Sequence, residues 1–320
     1  MHIQDGLLDI KTCAATAALS IVTVGYAVRR VSRDNADHRA PLMGVMAACL
    51  FAAQMMNFPI PAGTSGHLMG GVLAAVMLGP WNGLLVLTVV LAVQCVLFQD
   101  GGPTALGANV LNVGVIGSLV GYAIFEPIRR FVGGMRGTVA GAVVAAWFSV
   151  VLGASACAIE LALSGTYHLA ATLGVMLLVH SIIGLGESLI TGMGVAFVLR
   201  TRPDLVYGQT DGATILAKSG EVLVAGLAVA LFVAVLLSPF ASELPDGLEN
   251  SLKRLGLDLE SAEPLMPAPM PGYALGDWEN VRLAGSLAGG IGTLVVFAIA
   301  FIMARGISSK PSIARTPHAS

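Results

Sequence analysis

The sequence predicts an all-α integral membrane protein of about nine transmembrane helices, with the N-terminus outside and the C-terminus inside. Three observations predict it. Of 320 residues, 56% are hydrophobic and only 11% are charged, whereas soluble domains carry about 25% charged residues. Apolar stretches of bilayer length recur along the whole chain. Basic residues gather in alternate connections between those stretches. The mean hydropathy of +0.82 agrees, as do 39 glycines, because small residues let membrane helices approach closely. No basic tract suggests a nucleic-acid partner; membrane lipid is the surrounding medium.

Seven apolar stretches each match one span, near 10–28, 41–58, 106–125, 137–159, 169–199, 220–238 and 283–304. The stretch 67–99 is too long for one span. Gly79-Pro80, followed by Trp81-Asn82, breaks it. A short helix over 67–79 and a full one over 82–98 result, which makes nine. The positive-inside rule tests the division. With nine spans, 13 of the 17 basic residues fall inside: Arg29, Arg30, Arg33, Arg39, Arg129, Arg130, Arg136, Arg200, Arg202, Lys218, Arg305, Lys310 and Arg315. Only Lys11, Lys253, Arg254 and Arg282 fall outside. Eight spans would invert everything after residue 99. The short third helix is tolerated where protein shields it or where it lines a polar cavity.

The organisation expected from this pattern is a membrane domain over 1–205, a cytoplasmic connector over 206–219 and a two-helix module over 220–320. The module's outer segment, 239–281, holds eight of the 19 acidic residues: Glu243, Asp246, Glu249, Asp258, Glu260, Glu263, Asp277 and Glu279. It also carries Pro264, Pro267, Pro269 and Pro271. Its acidity serves solubility, attracts divalent cations or contacts the N-terminal domain.

The chain opens Met1-His2-Ile3, with no basic region ahead of the first apolar stretch, so an uncleaved N-terminus is expected. A histidine at position 2 puts the terminal amine, its own amide nitrogen and its imidazole within chelating reach. On the nine-span topology His67, in Gly63-Thr64-Ser65-Gly66-His67, emerges on the same outer face. Its imidazole would complete a four-nitrogen set, a kind that favours Ni(II) or Cu(II) when planar. Thr64 and Ser65 are candidates for orienting that ring.

Other polar residues sit in or beside spans: Gln94, Asn109, Asn112, and a face of span 7 carrying His180, Gly184 and Glu187 at i, i+4 and i+7. Ionisable groups there point to function. Helix packing and capping explain them equally well, and Asp100-Gly101-Gly102-Pro103 reads as turn chemistry. His38, His168 and His318 lack comparable support. Cys13, Cys49, Cys95 and Cys157 lie in apolar stretches without metal spacing and read as small buried hydrophobes. No P-loop, HExxH or GxSxG is present, so the chain reads as no enzyme, and any ATPase must be another chain.

Met1-His2-Ile3-Gln4-Asp5-Gly6 resembles the opening of the CbiM/NikM family, the substrate-binding membrane subunits of energy-coupling-factor transporters for cobalt and nickel. Asn57-Phe58-Pro59, Gly63 through Gly71, Leu78-Gly79-Pro80-Trp81, Phe98-Gln99-Asp100-Gly101-Gly102, and His180 through Glu187 agree with it over about residues 1–200. Pro245-Asp246-Gly247-Leu248-Glu249 is similar to the PDGLE signature of the small partner subunits, NikN and CbiN. The chain thus resembles a fusion of the two. The resemblance implies seven plus two spans and a metal site formed by the Met1 amine, the His2 amide and imidazole, and the His67 imidazole. It also implies a transmembrane coupling protein and two cytoplasmic ATPases as partners, in a prokaryotic plasma membrane. Ni(II), or else Co(II), would be cargo, with no permanently bound cofactor. Gln4 departs from the family's usual proline, which puts the path of the N-terminal strand in doubt but not the ligands. The rival expectations are an autonomous channel or secondary transporter, and a metal sensor. No clear internal repeat supports the first and no signalling domain the second.

Overall fold

A computed structural model describes residues 2–33, 39–61, 63–208, 219–256, 265–276, 278 and 280–308. Met1, Lys218, Lys310 and Arg315 lie outside the described residues. So do His38, His318, Pro264, Asp258, Glu260, Glu263, Asp277 and Glu279.

Nine apolar helices run through the described residues: α1 (Ile10–Arg33), α2 (Ala40–Gln54), α3 (Gly71–Leu78), α4 (Pro80–Phe98), α5 (Leu106–Val132), α6 (Gly134–Leu163), α7 (Leu169–Thr201), α8 (Ser219–Phe232) and, after the short α9 (Gly247–Arg254), α10 (Val281–Ser308). Seven are long and apolar enough to cross a bilayer, α8 counting with its continuation to Phe240. α2 has 15 residues. α3 has eight, about 12 Å at helical rise, and so does not cross the hydrocarbon core alone.

The division at residue 79 is local chemistry. Gly79 sits at φ 86°, ψ 157°, a conformation that a side chain would strain, and Pro80 opens α4 at the first helical position, where its missing N–H is harmless. The Tyr207 N–H donates to the Val76 carbonyl at 3.0 Å, and Arg39 lies 4.9 Å over the Tyr207 ring. This closes one end of the bundle. Apart from Lys11 and Arg282, the described basic residues of α1, α5, α6, α7 and α10 lie at the helix ends on that side.

At the other end the third span is not helical through its first part. Two strands occupy the expected loop and the end of the expected second span: β1 (Phe58–Ile60) and β2 (Thr64–Gly66), antiparallel with Pro59 opposite Ser65. Residues 67–69 then carry no regular structure where helix was expected, and Gly70, left-handed at φ 75°, leads into α3. The expected second span, 41–58, stops at Gln54 because Phe58 enters the hairpin instead. Irregular backbone at membrane depth must be shielded and bonded by protein. Here α7 and the two-helix module supply both. α10 packs on α2 and α4, with Phe297 against Gly44 and Phe51 against Gly292, while α8 lies on α2 with little of its length buried. Phe51, Phe98 and Tyr273 stack beneath the hairpin end, Phe98 and Tyr273 at 4.7 Å, and join the two parts.

Candidate metal site

Residues 2–4 run without regular structure into a turn at Asp5-Gly6, and this N-terminal strand of chain enters the hairpin end. Asn109 clasps it: its Oδ1 accepts from the Ile3 N–H at 2.8 Å and its Nδ2 donates to the Ile3 carbonyl at 3.1 Å. Asn109 is positioned at the start of a π-helical stretch, Val110–Val120, the irregularity that often marks a functional position. The Gly102 N–H donates to the same Ile3 carbonyl at 2.9 Å. A Cβ on Gly102 would lie 2.3 Å from the Asp5 nitrogen, so only glycine admits the strand. Asp5 Oδ1 accepts from the Thr104 hydroxyl at 2.6 Å and its N–H at 3.0 Å, and Asp5 Oδ2 accepts from the Leu265 N–H at 3.2 Å.

This clasp brings His2 to His67. Their rings are nearly parallel, 10° apart, with centroids at 5.3 Å. Both side chains are buried. His2 Nδ1 meets Asp100 Oδ1 at 2.9 Å, and its buried Nε2 has no hydrogen-bond partner among the described residues. The other Asp100 oxygen accepts from the Tyr273 hydroxyl at 2.5 Å. His67 Nδ1 lies 3.1 Å from the Leu68 carbonyl, so that nitrogen donates and Nε2 is the acceptor of the ring. Burial lowers the His67 pKa from 6.5 to about 3, so the ring is neutral and ready to ligate at any physiological pH.

Both rings line a pocket of about 390 Å³ with Gln4, Gln54, Asn57, Asp100, Glu243, Asp246 and Tyr273. Burial would raise the Asp100 carboxyl, but the His2 imidazole and the Tyr273 hydroxyl hold it well below the carboxylate range. Asp246, also opposed by burial, is held low, and the Glu249 N–H donates to it at 2.8 Å. Two carboxylates therefore stay ionised beside the imidazoles, a field that concentrates cations. Among the described residues no three His, Cys, Asp or Glu side chains converge as a metal cage. Two imidazoles alone make half a coordination sphere, and backbone and terminal nitrogens are the donors that could complete it. Met1 lies outside the described residues. An amide chelate through His2 closes on Nδ1, so coordination would exchange the Asp100 contact for the metal.

The remaining candidates divide. Glu187 on α7 reaches the segment that carries His67: its two oxygens accept from the Met69 N–H at 2.7 Å and the Gly70 N–H at 2.9 Å. Gln54 Nε2 donates to the Met69 carbonyl at 3.0 Å. His180, on the same helical face about two turns away, is buried beside Gly66, His67 and Met69. The Thr64 hydroxyl donates to the Pro245 carbonyl at 2.9 Å and the Ser65 hydroxyl to the Leu244 carbonyl at 2.7 Å, tying the hairpin to the two-helix module. The Ser65 N–H adds a bond to Pro245 and the Asn250 amide one to Gly63. Asp246 caps α9 and forms a capping box with Glu249. Gln94 is fully buried on α4. Asn112 faces away from the pocket and donates to Glu160 of α6 at 2.7 Å.

Sequence reasoning missed Asp5, Asp100 and Tyr273. Asp100 stood in a Gly-Gly-Pro context that reads as a turn, and the turn is real, with Gly101 at φ 91°. Its carboxylate is nevertheless aimed at His2. Asp5 carried a signal only in its place three residues after a histidine that must be held still.

Residues 2–205 match the family described as the cobalt uptake substrate-specific transmembrane region, CbiM, and residues 220–309 match the PDGLE domain. A putative fused nickel transport protein NikMN of Archaeoglobus fulgidus is 38% identical over 95% of this chain and 98% of its own. A fused nickel transport protein NikMN of Rhodobacter capsulatus is 35% identical over 64% of each chain. The crystal structure of a truncated transition metal transporter superimposes with a TM-score of 0.57 at 32% identity, over 62% of this chain and 99% of that one.

Proposed function

The chain belongs to the CbiM family of cobalt-uptake transmembrane proteins and carries a PDGLE domain, and from that premise we propose that it captures Ni(II) for an ATP-driven energy-coupling-factor importer. The observation that carries the reading is the pairing of His2 with His67 in an acid-lined pocket, 65 positions apart in sequence and stacked in space. The ligands are the Met1 amine, the His2 amide and imidazole, and the His67 imidazole. Asp100 orients the His2 ring until the metal takes Nδ1, Glu187 holds the backbone that follows His67, and Asn109 holds the strand. The residues of 1–205 capture the ion and those of 220–320 brace the pocket, joined by the connector 206–219.

The pocket end faces outward and the basic end faces the cytoplasm of a prokaryotic cell, in the plasma membrane. The cytoplasmic face meets a transmembrane coupling protein that carries two ATPase subunits. The chain itself catalyses nothing. Nickel stands first because a planar nitrogen set suits it. Cobalt is the second reading, favoured by the family's description. Affinity order alone would put copper above both, so availability decides in the cell.

The test is equilibrium binding of Ni(II) and Co(II) to the purified full chain with its native N-terminus, and to the same chain with one alanine inserted between Met1 and His2. Tight 1:1 nickel binding that weakens by at least about 100-fold, roughly 2.7 kcal/mol, on insertion is the expected result. Equal binding by both chains overturns the chelate.

A further inference from the structure

The segment 265–274 of the two-helix module crosses the N-terminal end of the chain and the end of α4, and three donors pin it there. The Leu265 N–H donates to Asp5 Oδ2 at 3.2 Å, the Met270 N–H to the Leu97 carbonyl at 2.9 Å, and the Tyr273 hydroxyl to Asp100 Oδ2 at 2.5 Å. The last of these ends a chain of contacts, because Asp100 Oδ1 meets His2 Nδ1 at 2.9 Å.

Tyr273 is held at φ 60°, beside Gly272 at φ 61°. An aromatic residue in that left-handed region is strained, and such strain persists only where the surroundings impose it. Packing alone does not call for the phenol. The ring lies 4.7 Å from Phe98 and 6.1 Å from Phe51, contacts that a phenylalanine would make as well. What the hydroxyl adds is a bond to a carboxylate, the stronger kind of hydrogen bond. Tyr273 borders the acid-lined pocket together with His2 and Asp100.

We propose that Tyr273 is a positioning residue of the metal site, which holds Asp100 beside the ion after His2 has let it go and so sets how long nickel stays. The inference rests on the chelate reading. In the metal-free pocket the Asp100 carboxylate has two partners, His2 and Tyr273. Coordination through His2 Nδ1 removes the first, and among the described side chains Tyr273 is the donor that remains. The hydroxyl therefore does more in the loaded state than in the empty one, and its loss penalises the loaded state. The Asp100 side chain is 25% exposed, so water replaces the bond in part and the effect stays near about tenfold. The contact acts on an ion already seated, and so on dissociation rather than on encounter.

The test is the kinetics of Ni(II) association and dissociation on the purified full chain with its native N-terminus, compared with Tyr273→Phe, Asp100→Ala and the double variant. Tyr273→Phe, which keeps the ring stack, is expected to speed dissociation about tenfold and to leave association within about threefold. Asp100→Ala speeds dissociation at least as much. Adding Tyr273→Phe to it changes the rate by less than about twofold, because the hydroxyl then has nothing to hold. Dissociation from Tyr273→Phe within about twofold of the native rate, or effects that multiply in the double variant, overturns the proposal. So does complete loss of binding in Asp100→Ala, which would make the carboxylate a ligand of the ion. Failure of the native chain to bind nickel would instead sink the chelate reading, and that result is read separately.

Discussion

The hairpin that delivers His67 is held from two sides, and the two supports are unlike. On one side a single buried carboxylate, Glu187 of α7, takes two backbone N–H groups at 2.7 and 2.9 Å. On the other, neutral carbonyls of Leu244 and Pro245 in the two-helix module take the hydroxyls of Ser65 and Thr64 and the Ser65 N–H. The first support comes from a helix packed against α6 along its length; the second comes from a loop whose supporting helix α8 is mostly uncovered. A buried carboxyl that satisfies two N–H groups is unforgiving when removed, whereas neutral loop contacts are each modest. The helices of 1–205 therefore fix the segment that carries His67, and the module covers it.

The sharpest way to break this comparison is Glu187→Ala. It strands two buried N–H groups and should lower unfolding stability by about 3 kcal/mol or more, read by denaturation in detergent, with nickel affinity falling in step. A loss no larger than that of the loop variants would show that the two supports are equivalent after all. Asn109→Ala comes next. It removes both bonds to Ile3, so a loss of about 2 kcal/mol in nickel binding, roughly thirtyfold, is expected with a smaller effect on melting. If melting falls and binding does not, the clasp serves the bundle and not the ligand. The double change Thr64→Val with Ser65→Ala tests the module's side and should reduce affinity by about 1 kcal/mol or less, because the Ser65 backbone bond remains.

The smallest effect concerns pH. A histidine in the unfolded chain titrates near 6.5, while burial holds folded His67 to about 3. The folded state resists that proton, so this residue's contribution to stability is intact above pH 6.5 and declines as pH falls from 6.5 toward 3. His67→Gln should flatten the dependence of melting temperature on pH across that window. An unchanged slope would show that His67 is not the group responsible.

Much of the fold could be read because length is a strong signal in a bilayer. Runs of apolar residues gave the long helices, and Gly79-Pro80 gave the reversal, since only glycine tolerates φ 86° ahead of a proline. The hairpin could not be read that way: Phe58 and Ile60 are as apolar as a helix, and their alternation spans only three residues. Its stabilising partners lie far off, with Pro245 some 180 positions from Ser65. The two histidines were legible because a second-position histidine has its own chemistry. Asp100 and Tyr273 were not, because what brings them to the pocket is a contact 173 positions long. Thr64 and Ser65 were legible as polar neighbours of His67, and the structure directs both hydroxyls to the module.

The N-terminal strand is bonded to Gly102, Thr104, Asn109, Thr166 and Leu265. Its partners lie in three separated stretches, 102–109, Thr166 and Leu265, the last some 260 positions away. Contacts of such separation close late in folding, so the seat of His2 reports on the packing of both matched regions at once.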